Sequence, residues 1–492
     1  MLLGAASPLD SIMLPNASTW TCMVLVLLVM LFVRFAKPFQ WRHIDLLLLF
    51  LLTVPILFLR ESQEIRDDIF RDWCAPDQRF VAAMGIAAQI CAAPLQVAQP
   101  IHLAHYWVDQ VQRSHPDWLR SYGFEQRSIW LSYLWLMIFS LLLLLRSFLD
   151  LFREHKNEFR ANATTGAMFW LGLVLITIFT LKSFDSNDWR GAPRPRNDSK
   201  AVEEVTHLLN VLPIEPRETN KYAAVACHTL LVAHLILIGW LHFRQVNMGV
   251  SAALLYLLMP YTAVLFMNLS QVMVSLFVVM AITWYRLPAI AGLLMGIGAG
   301  LGFYPIFLMP AWVGFYFKRG HRRFLISFLC VVVGFAAFWF WSTGWAKAWE
   351  YIWSLADWQF WATDKNKILA DGLWNTIALN RAYRIPLFII FAALIITSGL
   401  WPHRKNLGQL ITWSVVLILG VQFWYADAGG SYILWYLPLI ALQMVRPSLT
   451  HLEAVQIVPE QDRLRQTLRW LMSWRKPTEN VEKRQPPTAL AG

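Results

Sequence analysis

The sequence Glu64-Ile65-Arg66-Asp67-Asp68-Ile69-Phe70-Arg71-Asp72-Trp73 opens the first long polar interruption of a very apolar chain, residues 60–127. An apolar run, residues 43–59, ends just before this interruption, and another, residues 129–145, begins just after it. A bilayer-spanning helix needs roughly 17–25 mostly apolar residues. The pattern therefore predicts two spanning helices that are joined by a long loop outside the membrane.

The composition of the whole chain is typical of an integral membrane protein. Of its 492 residues, 57% are hydrophobic and only 15% are charged, whereas a soluble domain has about 25% charged residues. Because a backbone exposed to lipid must satisfy its own hydrogen bonds, the expected spanning element is the α-helix. The sequence predicts an all-α, polytopic membrane protein.

About 13 apolar runs are candidates for spanning helices. They comprise residues 20–35, 43–59, 129–145, 167–182, 223–240, 250–266, 272–284, 290–303, 306–317, 324–341, 387–400, 410–424 and 432–444. No basic segment precedes an apolar core at the start of the chain, so the first run is expected to be a retained span rather than a cleaved signal peptide.

The distribution of Lys and Arg between the loops predicts the orientation. One alternate set of loops carries Arg34, Lys37, Arg42, Arg146, Arg153, Lys156, Arg160, Arg244, Arg286, Lys318, Arg319, Arg322, Arg323, Arg404, Lys405 and the tail from Arg446. By the positive-inside rule this set is cytoplasmic, which also accounts for the net charge of +11 without nucleic-acid binding. The long loops 60–127, 183–222 and 342–384 are then extracytoplasmic.

The chain is expected to consist of a transmembrane domain, residues 1–446, and a cytoplasmic tail, residues 447–492. Within the tail, residues 463–474 place Leu464, Leu468 and Leu471 on one helical face beside arginines, which is typical of a basic amphipathic helix on the inner leaflet. The Pro-, Glu- and Lys-rich end is expected to be disordered. In the first long loop, residues 83–107 are expected to form one or two interfacial helices.

Cysteine and histidine residues give weaker indications. Cys74 and Cys91 share the first long loop, where a disulfide could form if the loop faces an oxidising compartment. His102, His105 and His115 lack the spacing of a strong metal site and are interpreted as structural or interfacial. No cofactor is expected from the sequence, although a divalent metal ion stays an open alternative. No nucleotide-binding fingerprint is present, so a soluble nucleotide-sugar donor is disfavoured.

Several short patterns resemble the polytopic GT-C glycosyltransferases, most closely the glycosyltransferase family 87 type of polyprenyl-phosphate-dependent mannosyl- and arabinosyltransferases. The patterns are Leu258-Met259-Pro260, Leu269-Ser270-Gln271, residues 291–299, Tyr304-Pro305 with Leu308-Met309-Pro310, the basic residues 318–323, Gly372-Leu373-Trp374-Asn375-Thr376 and Tyr432-Ile433-Leu434-Trp435-Tyr436-Leu437-Pro438. They cover roughly half of the chain. The chain departs from the family at Phe303, where a Lys is usual, and at Ser270, where a Gly is usual.

The resemblance implies a large first extracytoplasmic loop that carries interfacial helices and an acidic residue acting as catalytic base. Asp67 and Asp68 lie in that loop, about eight residues past the end of an early apolar run. Such a carboxylate would take the proton of the acceptor hydroxyl. The alternative interpretation of these residues is a solvated acidic turn. Asp185 and Asp188, which open the second long loop, are the alternative acidic pair.

A departing phosphate needs cationic or hydrogen-bonding groups. Lys365, Lys367, Arg381 and Arg384 lie in or at the end of the late extracytoplasmic loop beside several tryptophans, and they could bind the phosphate of a polyprenyl carrier. Anchoring at the membrane interface is an equally good explanation of the same residues.

Three classes of function fit the sequence. The first is an inverting transferase that moves a sugar from a polyprenyl-phosphate donor to a lipid-linked or cell-surface glycan on the extracytoplasmic face. The second is a multispan transporter or a flippase for lipid-linked glycans, which predicts ionisable residues at mid-span and broken helices in matching halves. The third is a polymerase or ligase of surface polysaccharide. The scarcity of charged residues in the spans favours the transferase.

Overall fold

The computed structural model describes residues 17–34, 41–59, 126–153, 161–184, 216–345, 349, 374, 383–425 and 429–456. Throughout these residues the regular elements are helices, and no strand is formed. The helices are α1 Ala17–Phe32, α2 Trp41–Leu51, α3 Gln126–Asp150, α4 Thr165–Phe184, α5 Pro216–Leu241, α6 Val246–Leu258, α7 Pro260–Val264, α8 Leu269–Thr283, α9 Pro288–Leu301, α10 Pro305–Phe315, α11 His321–Thr343, α12 Arg384–Leu400, α13 Leu407–Trp424 and α14 Ile433–Val445.

Within the described ranges, five helices are long and apolar enough to cross a membrane. They are Trp41–Leu59, which continues α2, and Ile129–Asp150, Thr219–Leu241, His321–Trp341 and Leu407–Trp424. Eight shorter apolar helices of 10–17 residues accompany them. Twelve of the 13 apolar runs predicted from the sequence each overlap one helix. The protein is therefore an all-α membrane protein.

One predicted run, residues 250–266, forms two helices instead of one. Helix α6 ends at Leu258, Met259 has an extended ψ of 127°, and α7 begins at Pro260. Proline lacks the N–H that would continue the helix, and its ring disfavours the helical conformation of the preceding residue. The run therefore bends inside the bundle, where the Thr262 hydroxyl donates to the carbonyl of Tyr256 at 2.6 Å.

The central and outer helices of the bundle differ in the exposure of their apolar side chains, as expected for a membrane protein. Nearly all residues of α6, α13 and α14 are buried. By contrast, large apolar side chains on the outer helices are exposed, such as Trp170 at 65%, Val333 at 62% and Ile396 at 62%. An apolar belt of this kind faces lipid, because water would make it a site of aggregation.

A stripe of glycines brings α9 against α11. A methyl group at Gly296 would lie 2.9 Å from the carbonyl oxygen of Phe328, and one at Gly300 would lie 2.5 Å from the ring of Phe335. Gly292 meets the carbonyl of Phe324 even more closely. The four-residue spacing predicts such a packing surface from the sequence, and the structure confirms it.

Four charged side chains form a buried network at the end of the bundle that the sequence predicts to be cytoplasmic. The Arg146 guanidinium places Nε 2.9 Å from one carboxylate oxygen of Asp45 and donates from Nη2 to the other at 2.9 Å. It also donates to Asp150 at 3.3 Å, and Asp150 accepts from Arg446 at 2.8 Å. The network joins α2, α3 and the end of α14, and therefore aligns these helices at one end.

Candidate functional site: a recess with an aromatic floor

Helix α3 is much longer than the helices that pack beside it. Its last residue, Asp150, is level with the end of α14, since it accepts a hydrogen bond from Gln443 at 3.2 Å. Towards the other end, a methyl group at Gly430, in the turn between α13 and α14, would lie 3.3 Å from Leu136 of α3. The preceding residues 126–135 continue α3 past this turn by about 15 Å, at 1.5 Å per residue.

Helix α5 extends in the same way past the turn before α8. The His228 ring stacks on Phe266 with centroids 4.1 Å apart and a 10° angle, and its Nε2 lies 2.9 Å from the Phe266 carbonyl oxygen. Residues 216–227 continue α5 past this point by about 18 Å. Helices α13, α14 and α8 form a continuous series of contacts from α3 to α5. At this end of the bundle the described helices α8, α13 and α14 therefore stop short of the tips of α3 and α5, and we call the region between these two tips the recess.

Aromatic side chains form the floor of the recess. Trp435 is stacked between Tyr304, with centroids 4.5 Å apart, and Tyr432, at 4.2 Å. Phe303 packs against Tyr425 at 4.8 Å and meets the edge of Trp435 at 5.8 Å. We call these five residues the aromatic floor. Tyr304, Tyr425, Tyr432 and Trp435 are buried, whereas Phe303 is partly exposed.

Two side chains of the late loop region bind the end of α13 beside the aromatic floor. The indole N–H of Trp374 donates to the carbonyl of Phe423 at 2.9 Å. The Nε–H of Arg384, the first residue of α12, donates to the carbonyl of Trp424 at 2.8 Å. The last carbonyls of a helix lack partners within the helix and carry partial negative charge, so a cation is favourable there. Arg384 is fully buried in this position.

The turn before α8 contributes polar groups at the same end of the bundle. The Asn268 side-chain oxygen accepts from the Ser270 hydroxyl at 2.9 Å and from the backbone N–H of Gln271 at 3.4 Å, so Asn268 caps α8. Ser270, where the resembled family usually has Gly, thus has a local role in this cap. Gln271 is 2% exposed.

Segments that are far apart in the sequence meet at the recess. Three patterns quoted for the resemblance contribute Tyr304, Trp374 and Trp435, and each lies on the aromatic floor or on the end of α13 beside it. The ring of Phe303, at the position where the resembled family usually has Lys, packs on Tyr425. At this position the structure therefore has an aromatic contact instead of a cation.

Of the site residues predicted from the sequence, Arg384 is the one that the structure describes. Asp67, Asp68, Asp185, Asp188, Lys365, Lys367 and Arg381 lie outside the described residues, as do Cys74, Cys91 and the three loop histidines. The described position of Arg384 is a cap of α13, and its predicted role at a donor phosphate stays a prediction.

The helix that leads into the first acidic loop ends near the level of the recess. Leu59 is 14 residues past Asp45 on α2, about 21 Å along the helix, whereas Leu136 is 10 residues from Arg146 on α3, about 15 Å. Because Asp45 and Arg146 are in contact, the continuation of α2 to Leu59 ends about one helical turn beyond the level of the turn between α13 and α14. The loop with Asp67 and Asp68 starts there.

Metal ligands do not cluster in the described part of the chain. Among those residues, no three His, Cys, Asp or Glu side chains come together as a metal site. The chain matches no family model, no curated protein and no solved structure in the three comparisons.

The sequence offered partial signals for what it missed. Arg146 and Asp150 are spaced i, i+4 at the end of an apolar run, which is the spacing of a helical ion pair, but nothing nearby in the sequence points to Asp45 or Arg446. The aromatic floor joins residues up to 132 positions apart, from Phe303 to Trp435, so no local pattern could predict it.

Proposed function

We propose that the protein is a membrane glycosyltransferase. It transfers a sugar from a polyprenyl-phosphate donor to a lipid-linked or cell-surface glycan on the extracytoplasmic face, with inversion at the sugar carbon. The observation that carries the proposal is the recess, which opens at the end of the bundle where the predicted extracytoplasmic loops leave the helices. In this topology about 13 helices span a plasma membrane, and the C-terminal tail is cytoplasmic.

The lining of the recess suits both parts of such a donor. Ligand sites in proteins are concave and mostly apolar, with a few polar groups that fix orientation. The partly exposed ring of Phe303 offers an apolar face to an isoprenoid chain or to the C–H face of a sugar. Arg384, with Lys365, Lys367 and Arg381 of the same loop, supplies positive charge for the phosphate.

The proposed chemistry is a single displacement. The acceptor hydroxyl oxygen forms a bond to the anomeric carbon of the sugar, while the bond from that carbon to the phosphate oxygen breaks. The carboxylate of Asp67 or Asp68 takes the hydroxyl proton, and the polyprenyl phosphate leaves with the bonding electrons. Adjacent residues on a helix point about 100° apart, so we expect one of the two to act. Asp185 or Asp188 is the alternative base.

A flippase for lipid-linked glycans and a polysaccharide polymerase or ligase would use a similar recess. The buried charges that a transporter requires do occur, as Asp45, Arg146, Asp150 and Arg446, but they lie at helix ends and bind one another. This position favours a structural role over a path for a solute. The transferase therefore remains the proposal.

The test is sugar transfer in membranes that contain the full-length protein. A panel of polyprenyl-phosphate sugars and native lipid extract would be offered to wild type, Asp67→Asn and Asp68→Asn at matched expression. We expect one variant to lose transfer by at least about 100-fold, which is typical of a lost general base. Asp72→Asn, in the same acidic segment, is the matched control and should stay active.

Each outcome separates the hypotheses. Full activity of both variants would show that neither Asp67 nor Asp68 is the base. The variants Asp185→Asn and Asp188→Asn would then be tested. No transfer by wild type with any donor, together with movement of a lipid-linked glycan across vesicles, would replace the transferase proposal by a flippase.

A further inference from the structure

The ends of α1, α2 and α3 carry further arginines beside the buried network of four charged side chains. Asp45 and Asp150 bind Arg146 and Arg446, which makes two carboxylates for two guanidinium groups. All four of these side chains are almost fully buried, with exposed fractions of 11% or less. This network is therefore neutral.

Three further arginines surround the network. The backbone N–H of Arg34 donates to His43 Nε2 at 3.1 Å, which holds the end of α1 against the start of α2. Arg34 and Arg42 are near enough for their charges to repel each other. Arg153 is exposed at the end of α3, and its Cζ lies 5.1 Å from the centre of the Trp41 ring.

The neighbouring loops do not remove this excess charge. Residues 154–160 contain Glu154 and Glu158 but also Lys156 and Arg160, so their formal charges cancel. Residues 35–40 add one Lys. By sequence, Arg34, Arg153 and Lys37 therefore contribute a formal charge of about +3 at this surface. Such an arrangement is favourable when an anion binds between them.

The surroundings of these arginines are those of a membrane surface. Trp41, Ile44 and Leu47 follow one another at three-residue spacing on α2 and are 46%, 44% and 56% exposed. Leu149 on α3 and Phe152, two residues past the end of α3, are 56% and 64% exposed. Cations directly above exposed apolar side chains match a lipid, which has a charged headgroup and apolar tails, better than a soluble anion. A half-exposed Trp beside Arg is typical of the headgroup level.

We propose that Arg34, Arg153 and Trp41 form a binding site for an anionic phospholipid headgroup at the ends of α1, α2 and α3. The guanidinium groups bind the lipid phosphate, and the acyl chains lie along the exposed faces of α2 and α3. The site is independent of the proposed sugar transfer. Basic sites between the cytoplasmic ends of membrane helices are suited to lipids of this kind.

Native mass spectrometry of the full-length protein tests this site. Dioleoyl phosphatidylglycerol and dioleoyl phosphatidylcholine would be offered in equal amounts, since they share acyl chains and differ in charge. We expect wild type to bind one phosphatidylglycerol with clear preference. A surface arginine contributes about fivefold to anionic-lipid affinity, so the double variant Arg34→Gln/Arg153→Gln should lose about 25-fold.

Two further variants separate this site from general charge and from misfolding. Arg34→Lys/Arg153→Lys keeps the charge and should retain most of the affinity. Arg286→Gln/Arg322→Gln removes two exposed arginines at the same predicted face, one of them 6.0 Å from the Tyr285 ring, and should change the affinity less than about twofold.

Three results would overturn the proposal. One is equal binding of the two lipids by wild type. Another is an equal loss in the Arg286/Arg322 variant, which would indicate diffuse attraction. The third is complete displacement of phosphatidylglycerol by millimolar inorganic phosphate, which would indicate a site for soluble anions.

Discussion

Replacing Arg146 by Met tests whether the buried charged network holds α2 against α3. The Met side chain keeps the apolar stem but removes both contacts to Asp45, at 2.9 Å each. Asp150 loses the bond of 3.3 Å to Arg146 and keeps Arg446 and Gln443. The variant thus leaves Asp45, 7% exposed, without the cation that binds it.

The expected loss of stability is about 3–4 kcal/mol at pH 7. Removing one partner of a buried ion pair costs about 3–5 kcal/mol, because the other charge stays buried. The carboxyl group can instead take up a proton, which for an ordinary aspartic acid costs about 4 kcal/mol at pH 7 and sets the upper limit. In that case the folded chain holds a proton that the unfolded chain has released, so the loss of unfolding free energy in the variant grows with pH. At pH 5 the limit falls to about 1.5 kcal/mol.

The assay is reversible unfolding in mixed detergent micelles, titrated with dodecyl sulfate and followed by tryptophan fluorescence at pH 5 and pH 7. The double variant Asp45→Leu/Arg146→Met is the control and should lie within about 1 kcal/mol of wild type, since an apolar pair replaces a buried ion pair at little cost. A loss below about 1 kcal/mol in the single variant at pH 7 would refute the reasoning. So would a double variant as unstable as the single one.

Three other predictions concern stability. Burial lowers the pKa of Lys405 from its ordinary value of 10.5 to about 8. Between these two pH values the unfolded chain holds a proton that the folded chain has released, so the free energy of unfolding should rise with pH by up to about 1.4 kcal/mol per unit. The variant Lys405→Met should flatten this rise in unfolding titrations. Gly292→Ala should destabilise by about 1–3 kcal/mol because its methyl group meets the backbone of Phe324, whereas Gly334→Ala, with nothing within 4 Å, should stabilise by up to about 1 kcal/mol in the same titration. Trp374→Phe removes the indole N–H that binds Phe423 and should cost about 1 kcal/mol of unfolding free energy; an unchanged midpoint would contradict that contact.

The positions of the helices could be predicted from the sequence because hydrophobic runs are local. The runs at 129–145 and 410–424 each coincide with one helix, α3 and α13. The glycine stripe from Gly292 to Gly300 is also a local pattern that predicts a packing surface, and the structure shows that α11 is its partner. Val250–Phe266 was wrong as a single helix, although Pro260 within it was the available signal.

The candidate site could be predicted only in pieces. The sequence singled out Tyr304, Trp374 and Trp435 in separate patterns, but their convergence depends on which helices are neighbours and how far each extends. The predicted length of α3 did not indicate the recess. The apolar run was predicted to begin at Ile129, whereas the described helix begins at Gln126. The ends of α3 and α5 become informative only beside the shorter α8 and α14.

If the protein acts on a lipid-linked donor as proposed, the unequal helix lengths affect the energy needed to present that donor. A carrier lipid in a bilayer holds its phosphate near the headgroups, and drawing one five-carbon isoprene unit into water would cost about 4 kcal/mol, at about 0.8 kcal/mol per CH₂. The turn between α13 and α14 lies about 15 Å inside the tip of α3. A binding site at the depth of the carrier phosphate avoids this cost. Carriers that differ only in chain length should therefore reach the aromatic floor at a similar free-energy cost.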